Sequence, residues 1–210
     1  METSLDRYLK DHTTPQGEAL EWIEKQTNIR TNYPRMLSGA VQGRLLTMLA
    51  EMMGARRIVE IGAFTGYSAV CLAQGAGPEG HVDSLEINDE LESLMREGWR
   101  RAGVEDRITL RIGDACETLS SLDGPFDLVY MDANKREYCT YYDLVIDKLR
   151  PGGIILADDV LWDGKVCQDP MPHDKQTLGI AAFNDKVASD PRVECVILPL
   201  RDGLTLIRKK

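Results

Sequence analysis

One stretch constrains the fold of this chain more than any other: Arg57 to Ala73, with the sequence RIVEIGAFTGYSAVCLA. Residues 58–61 are mainly β-branched and apolar, which is typical of a strand covered on both faces, and Gly62 ends the run. From Ser68 onward the composition is that of a helix packed against such a strand. A strand that leads through glycines into a helix predicts the first βα unit of an open α/β fold, whose ligands bind at the carboxyl edge of the sheet.

The glycine spacing in this stretch indicates the kind of ligand. Gly62 and Gly66 are spaced G-x-x-x-G, whereas binding the pyrophosphate of a dinucleotide requires G-x-G-x-x-G. An NAD-linked oxidoreductase is therefore a poor fit. The motif E-x-G-x-x-x-G-Y-S, which begins at Glu60, resembles instead the first motif of class I S-adenosylmethionine (SAM) methyltransferases, in which the acidic residue faces the ammonium group of SAM. The structural alternative is a plain βα turn whose glycines serve only the backbone.

A second acidic residue follows at the end of the next predicted strand. HVDSLEI (81–87) predicts that strand, and it ends in Glu86, 26 residues after Glu60. An acid at this position of such a fold can accept two hydrogen bonds from a ribose diol. The alternative is that Glu86 or Asp89 caps the following helix, and for Asp89 we adopt the capping interpretation.

The rest of the chain completes one α/β pattern. Helices are predicted over about 15–29, 39–53, 89–102, 135–149 and 177–188, and strands over 107–113, 126–132, 153–159, 193–200 and 203–209. A turn is expected at 151–153 and a pocket-lining loop at 163–175. We predict a single domain, with N-terminal helices over 1–54 and a Rossmann-like core over 55–210. Its mostly parallel seven-stranded sheet should end in an antiparallel hairpin and carry helices on both faces.

Composition excludes several classes of protein. A chain of 210 residues with 43% hydrophobic content suits one well-buried domain. The net charge of −9 leaves no basic footprint for nucleic acid or an anionic membrane. No apolar run approaches the ~18 residues of a membrane span, and the charged N-terminus is unlike a signal peptide, so we predict a cytosolic protein that acts on a small molecule. The five cysteines lack a paired spacing, which argues against disulfides and structural zinc, and most are expected to be buried.

Three further aspartates end predicted strands. Asp132 follows FDLVYM, and Asp158 and Asp159 follow GIILA. Because parallel strands carry their carboxyl ends to one edge of a sheet, we expect a crevice lined by carboxylates, whose oxygens suit Mg²⁺ or Ca²⁺ better than zinc. Against this interpretation, strand-end aspartates often cap helices, and neighbours in an extended chain point in opposite directions. A turn at Asp159 would reconcile the two interpretations.

The order and spacing of four segments resemble one family, the metal-dependent O-methyltransferases of the catechol and caffeoyl-CoA type. The segments are VEIGAFTGYS, LEIN, MDANKREY and ADDVLWDGKV, and the resemblance covers about residues 34–209. It implies SAM as methyl donor, a divalent metal (Mg²⁺, or alternatively Ca²⁺ or Mn²⁺), a small aromatic diol as acceptor, and a homodimer. By the same resemblance the metal is held by Asp132, Asp158 and Asp159, the catalytic residues are Lys135 as base and Asp132, and the substrate contacts are Lys135 and Trp162. SAM is expected to contact Met36, Ser38, Glu60, Gly62, Phe64, Gly66, Tyr67, Ser68, Glu86, Ala115 and Asp132.

The chain departs from that family at Asp159, where a neutral asparagine is usual, so one more negative charge is expected at the metal. The N-terminus is shorter than in the plant members of that family, and the acidic substrate contact of animal catechol enzymes has no equivalent near the C-terminus. These two departures mean that the resemblance does not identify the methyl acceptor. Two alternatives remain: a metal-independent methyltransferase of another small molecule, and a non-catalytic SAM-binding module, although Lys135 beside the metal acids argues against a pure binder. The homodimer draws support from Leu20, Trp22 and Ile23, apolar residues of the 15–29 helix that need a covering surface.

Overall fold

Seven strands form one sheet in the computed structural model, which describes residues 3–210. The strands are β1 (Arg57–Ile61), β2 (His81–Glu86), β3 (Ile108–Ile112), β4 (Phe126–Met131), β5 (Leu149–Asp158), β6 (Val193–Leu198) and β7 (Leu204–Lys209). Their order across the sheet is β3-β2-β1-β4-β5-β7-β6. Strand β4 pairs in parallel with β1 and β5, whereas β7 pairs antiparallel with β5 and β6. The predicted mostly parallel sheet with a C-terminal antiparallel hairpin is confirmed.

Eight α-helices lie in the described part of the chain. They are α1 (Ser4–Asp11), α2 (Glu18–Arg30), α3 (Gly39–Met52), α4 (Tyr67–Ala76), α5 (Glu92–Arg101), α6 (Ala115–Ser121), α7 (Tyr138–Ile146) and α8 (Lys175–Ser189). Short 3₁₀ turns occupy Pro34–Met36, Glu105–Arg107, Lys135–Glu137 and Lys165–Cys167. Each predicted helix is present, with ends shifted by a few residues. Within residues 3–210, no helix is long and apolar enough to cross a membrane.

Helices α1 and α6 were not predicted, because the signals that mark them are caps rather than a long apolar period. The hydroxyl of Thr3 accepts a hydrogen bond from the Asp6 amide, and the Asp6 carboxylate accepts one from the Thr3 amide. The Asp114 carboxylate accepts hydrogen bonds from the amides of Cys116 and Glu117. Such caps satisfy the free amides of a first helical turn and define where a short helix begins.

The turn predicted at 151–153 is wrong, because strand β5 begins at Leu149 and runs through it. Leu149 pairs with Phe126, and Ile154 pairs with Leu128. The β5 side of the ladder therefore contains more residues than the β4 side. The proline and glycines are accommodated as an irregularity inside the strand rather than as a turn before it.

The starts of α2 and α5 also differ from the prediction. Helix α2 follows Gly17, which has a φ of 88°, so Pro15 lies outside the first turn. Helix α5 follows Leu91 without a side-chain cap. Asp89 contributes its backbone carbonyl, which accepts a hydrogen bond from the Glu92 amide at 3.0 Å, so the predicted capping role of its side chain is wrong.

The described residues group into two compact units. The first contains the described residues up to Arg56 together with Ala63–Asp83 and Asn88–Leu110, and the second contains Arg57–Gly62, Ser84–Ile87 and Arg111–Lys210. The division into domains proposed from the sequence stays a prediction.

The first unit buries the apolar side of α2. Leu20 and Ile23 are 3% and 0% exposed, and the Ile23 side chain lies so close to Gly98 that a Cβ on Gly98 would approach it to 2.7 Å. Trp99, also fully buried, donates a hydrogen bond to the Gly66 carbonyl at 3.0 Å. These α2 residues are covered within their own unit, so they give no support to the predicted homodimer.

The core of the second unit is built on β1, β4 and β5, packed against α7 and α8. The ring of Phe183 meets the rings of Tyr138 and Tyr142 edge-on, at centroid distances of 5.3 and 6.2 Å. Aromatic pairs prefer this arrangement because the positive edge of one ring faces the negative face of the other. The packing fixes the strands that carry the predicted metal acids.

The cysteines agree with only part of the prediction. All five are free thiols, so the expected absence of disulfides is confirmed. Cys71 alone is fully buried, whereas Cys167 and Cys195 are exposed and the other two are half-buried. The expectation of mostly buried thiols is wrong because Cys167 is the exposed end of a 3₁₀ turn and Cys195 lies on strand β6 at the edge of the sheet.

Candidate active site

The three predicted metal acids lie together. Ligand oxygens of Asp132, Asp158 and Asp159 are all within 4.8 Å of one another. Asp132 directly follows β4 and Asp158 ends β5, and these strands are parallel neighbours. The expectation that the carboxyl ends of the two strands bring their acids to one edge is confirmed.

The turn that this cluster requires is present at Asp159, whose φ is 56°. In an extended strand its side chain would point away from that of Asp158, but the left-handed conformation turns it back to the same side. The Asp159 amide donates a hydrogen bond to Asp158 Oδ1 at 2.9 Å, which fixes the pair. The Asp158 side chain is 1% exposed and that of Asp159 is 28% exposed, so one carboxylate is buried and its neighbour is half-buried.

Lys135 places its amine among these acids. Its Nζ donates a hydrogen bond to Asp132 Oδ1 at 2.8 Å and lies 3.3 Å from Asp159 Oδ2. It also donates to the Tyr138 hydroxyl at 2.7 Å. The side chain comes from the 3₁₀ turn that precedes α7 and is almost entirely buried. The predicted juxtaposition of Lys135 with the metal acids is confirmed.

The pKa of the Lys135 amine is raised well above its ordinary value of 10.5. Burial opposes this shift because it disfavours the charged amine, but the negative charges of Asp132 and Asp159 and the hydrogen bond to Asp132 outweigh it, with a further contribution from Tyr138. When the carboxylates are its only charged neighbours, and neither SAM nor a metal is bound, Lys135 is therefore an ammonium group at neutral pH. In that state it donates hydrogen bonds and cannot accept a proton.

Two tyrosines that the sequence analysis missed surround the acids. The Tyr130 hydroxyl donates a hydrogen bond to Asp158 Oδ2 at 2.9 Å, and the Tyr138 hydroxyl lies 2.9 Å from the Asp158 carbonyl oxygen. Burial raises the pKa of Tyr138 well above 10.0, so its hydroxyl stays protonated. Periodicity could have found both, because Tyr130 is two residues before Asp132 on a strand and Tyr138 is three residues after Lys135.

Glu60 and Gly62 lie at the end of β1, beside the start of the acid cluster. The fully buried Glu60 carboxylate accepts a hydrogen bond from the Ser84 hydroxyl. Gly62 has a φ of 100°, and a Cβ at this position would lie 2.2 Å from the carbonyl oxygen of Asp132. Glycine is required here both for the conformation and for this close approach. Strands β1 and β4 are the neighbours at which the order of the sheet reverses, the usual ligand position in such folds.

The other two predicted SAM contacts of the second unit follow strands. Glu86 ends β2 and is half-buried, and its backbone carbonyl accepts a hydrogen bond from the Gly113 amide at 2.9 Å. Ala115 is the first residue of α6 and is also half-buried. Glu86 thus lies at the carboxyl end of β2 and Ala115 beyond that of β3, and their contacts with SAM stay predictions.

The remaining predicted SAM contacts belong to the first unit. Phe64 and Gly66 have φ values of 50° and 78° and form the tight turn before α4, which opens with Tyr67 and Ser68. The Tyr67 hydroxyl donates a hydrogen bond to Gln16 Oε1, and burial raises the pKa of Tyr67 far above 10.0. Met36 is exposed in a 3₁₀ turn, and Ser38 is the buried residue before α3.

Trp162 lies in the loop that follows Asp159. Its φ is 51°, and the Lys165 amine lies 6.0 Å from the centroid of its ring. Its indole nitrogen is buried, and no atom of residues 3–210 accepts a hydrogen bond from it. A buried N–H group without a partner is costly unless a bound molecule or water satisfies it.

Comparisons with known proteins identify relatives of this chain and solved structures with a similar fold. A profile of the family described as O-methyltransferase matches residues 10–210. Probable caffeoyl-CoA O-methyltransferase 2 of Dictyostelium discoideum is 33% identical over 211 residues, which covers 98% of this chain and 91% of the relative.

Solved structures match over the whole chain. The O-methyltransferase from Bacillus cereus in complex with SAH has a TM-score of 0.91 at 31% identity, covering 100% of this chain and 98% of that chain. The O-methyltransferase TomG from Streptomyces achromogenes, involved in tomaymycin synthesis and solved in complex with SAM, has a TM-score of 0.92 at 30% identity, covering 100% and 97%.

Proposed function

This chain belongs to the O-methyltransferase family, and from that membership we propose that it transfers the methyl group of SAM to one hydroxyl of a catechol-like aromatic diol with the help of a divalent metal. SAM-dependent O-methyl transfer follows from the family and from its SAM- and SAH-bound structures. The diol and the metal are our proposal. The observation that carries it is the cluster of Asp132, Asp158 and Asp159 around the buried amine of Lys135.

The donor set of this cluster fits a hard divalent cation. All three candidate ligands are carboxylates, and oxygen ligands suit Mg²⁺, Ca²⁺ or Mn²⁺. Two basic side chains contact these acids: Lys135 lies 2.8 Å from Asp132 Oδ1, and Arg201 lies 3.8 Å from Asp158 Oδ2. A bound divalent metal supplies Lewis acidity, which lowers the pKa of a coordinated hydroxyl. This chemistry matters because a phenol has a pKa of about 10 and is mostly protonated at neutral pH.

The protein's own residues have two tasks in the proposed reaction. The first is positioning: the hydroxyl oxygen forms its bond to the methyl carbon as the bond from carbon to sulfur breaks, and holding these three atoms in line can be worth ~7–11 kcal/mol. The second is removal of the hydroxyl proton, which we assign to Lys135. That role requires positive charge near Nζ to lower its raised pKa, and both the sulfonium of SAM and a divalent metal carry such charge.

Two observations support an aromatic diol as the acceptor. The names of the relatives include caffeoyl-CoA O-methyltransferase. Trp162, three residues beyond Asp159, offers an aromatic ring and an indole N–H without a partner in the described residues. We therefore propose that Trp162 borders the diol ring and that Lys135 contacts the hydroxyl that is methylated.

A turnover assay tests this function directly. The purified chain is incubated with SAM and either a 3,4-dihydroxy aromatic compound or its 3-hydroxy analogue, before and after exhaustive chelation. We expect methylation of the diol, little methylation of the mono-hydroxy analogue, and recovery of the lost activity when Mg²⁺ is added back. Equal rates on both compounds with chelator present would favour the alternative, a metal-independent methyltransferase of another small molecule. A non-catalytic SAM-binding module is not favoured, because the family is one of enzymes.

Glu86 is expected to hold the ribose of SAM. Replacing Glu86 with alanine should weaken SAM binding by about 1.5–3 kcal/mol, because hydrogen bonds to a charged acceptor are lost. Isothermal titration calorimetry measures the change, and Asp89→Ala, which removes an exposed carboxylate three residues later, is the matched control. Unchanged SAM affinity in the Glu86 variant would show that the second strand does not carry the ribose contact.

We also propose the homodimer that the family resemblance implies. Leu20 and Ile23 of α2 are buried within the first unit and do not supply its interface. Sedimentation velocity at micromolar concentration should give a species near 47 kDa, twice the chain mass of 23.5 kDa. A single species at the mass of one chain would contradict the dimer.

A further inference from the structure

The loop of residues 159–163, which we call the acid loop, has a backbone that is costly to maintain. Asp159, Trp162 and Asp163 all have positive φ values, of 56°, 51° and 53°. Non-glycine residues in this left-handed region are disfavoured, and several of them within five residues persist only when the surrounding structure holds them in place. The question is which residues provide that support.

The Asn184 side-chain amide donates a hydrogen bond to the Val160 carbonyl at 2.9 Å, and three further bonds come from the turn between β6 and β7. The Val160 amide donates a hydrogen bond to the Gly203 carbonyl at 3.1 Å, and the Leu161 amide donates to the Asp202 carbonyl at 2.8 Å. The Asp163 amide lies 2.8 and 2.9 Å from the two carboxylate oxygens of Asp202. Asp202 therefore accepts hydrogen bonds from the residues on either side of Trp162. Its main-chain carbonyl accepts from Leu161, and its carboxylate accepts from Asp163.

Gly203 lets the two segments come this close. Its φ is 87°, and a Cβ there would lie 2.5 Å from Leu161 Cγ and 3.1 Å from Val160 Cγ2. The turn therefore fits against the acid loop only because this position lacks a side chain. Neighbouring Arg201 lies 3.8 Å from Asp158, so the same turn also reaches the buried acid at the end of β5.

We propose that Asp202 is a positioning residue, which acts by capping the Asp163 amide and thereby setting the placement of Asp159 and Trp162. The role of the acid loop in metal and substrate binding rests on the function proposed above. The stabilisation of this loop by Asp202 does not depend on that function. A hydrogen bond from an amide to a carboxylate is among the stronger ones in proteins. Loss of the Asp202 side chain should therefore let the acid loop leave its present conformation. Asp202 itself touches no substrate in this scheme.

The test uses the whole chain and three variants. Asp202→Ala removes the acceptor, and Asp202→Asn keeps one carbonyl oxygen and removes the charge. Asp163→Asn is the matched control, because it removes a charge from the acid loop while keeping its amide and the tolerance of asparagine for positive φ. Hydrogen exchange of the Leu161 and Asp163 amides, Mn²⁺ affinity and SAM affinity are measured for each.

We expect Asp202→Ala to speed exchange of the Leu161 and Asp163 amides by at least about 10-fold and to weaken Mn²⁺ binding by about 10-fold, with SAM affinity unchanged. Asp202→Asn should show smaller changes in amide exchange and in Mn²⁺ affinity. If the alanine variant fails to fold, the asparagine variant tests the proposal. Exchange or Mn²⁺ affinity equal to the parent in both Asp202 variants would overturn the proposal. A parent that binds no Mn²⁺ would refute the proposed metal instead, and amide exchange would still decide the role of Asp202.

Discussion

Lys135→Ala is expected to lower turnover by about 10²–10⁴-fold while leaving SAM affinity near that of the parent. The reason is that the buried amine lies 2.8 Å from Asp132 and 3.3 Å from Asp159, in the cluster where we propose that the hydroxyl loses its proton. Single-turnover kinetics with a 3,4-dihydroxy substrate, together with calorimetry for SAM, separate the chemical step from binding.

Lys135→Arg distinguishes a base from a structural charge. Arginine keeps the positive charge among the carboxylates but stays protonated throughout the accessible pH range. If Lys135 is the base, both variants lose activity, whereas a role limited to charge balance predicts that arginine restores much of it. Parent-like turnover in the alanine variant would reduce Lys135 to a structural residue.

Asp158→Ala is expected to abolish both turnover and its dependence on added metal. Asp158 is the buried member of the three acids, so its removal takes away a proposed metal ligand that solvent cannot easily replace. Loss of an outer partner of a metal ligand typically costs 10–100-fold in affinity, and loss of the ligand itself should cost more than about 100-fold. Mn²⁺ binding measured by electron paramagnetic resonance gives the affinity without relying on activity.

Two further variants make this result interpretable. Asp158→Asn keeps an acceptor for the Tyr130 hydroxyl, so it controls for the cost of leaving that buried group unpaired, about 1–3 kcal/mol. Asp159→Asn supplies the amide usual in the family and should remain active while binding metal more weakly, because one negative charge is lost. Full activity of the parent after exhaustive chelation would remove metal from the mechanism altogether.

The sequence predicted the strands and their acids because apolar runs and their ends are local properties. Asp132 and Asp158 could be assigned to one edge once β4 and β5 were recognised as parallel strands, since topology alone brings the carboxyl ends of such strands together. Gly62 and Gly66 could likewise be assigned to a tight turn from their spacing.

The parts that escaped prediction depend on conformation at single residues or on distant partners. The left-handed conformation of Asp159 determines whether the carboxylates of Asp158 and Asp159 converge. The presence of an aspartate in the sequence does not predict that conformation. The support from Asp202 comes from a turn 39 residues beyond Asp163, and the raised pKa of Lys135 arises from three groups assembled by the fold. The spacing of Tyr130 from Asp132 and of Tyr138 from Lys135 could have placed both tyrosines near the site, but the contacts of their hydroxyls with Asp158 depend on the folded arrangement.

The contact between Gly62 and Asp132 has a consequence for how this enzyme can diverge. The carbonyl oxygen of Asp132 fills the space in which any side chain at position 62 would begin. A side chain at position 62 would therefore displace the backbone of Asp132, a proposed metal ligand. Substitutions at Gly62 and in the segment around Asp132 are thus expected to occur together. Lineages that change the acceptor are expected to do so through the loops beyond β5 and to inherit this pair of positions together.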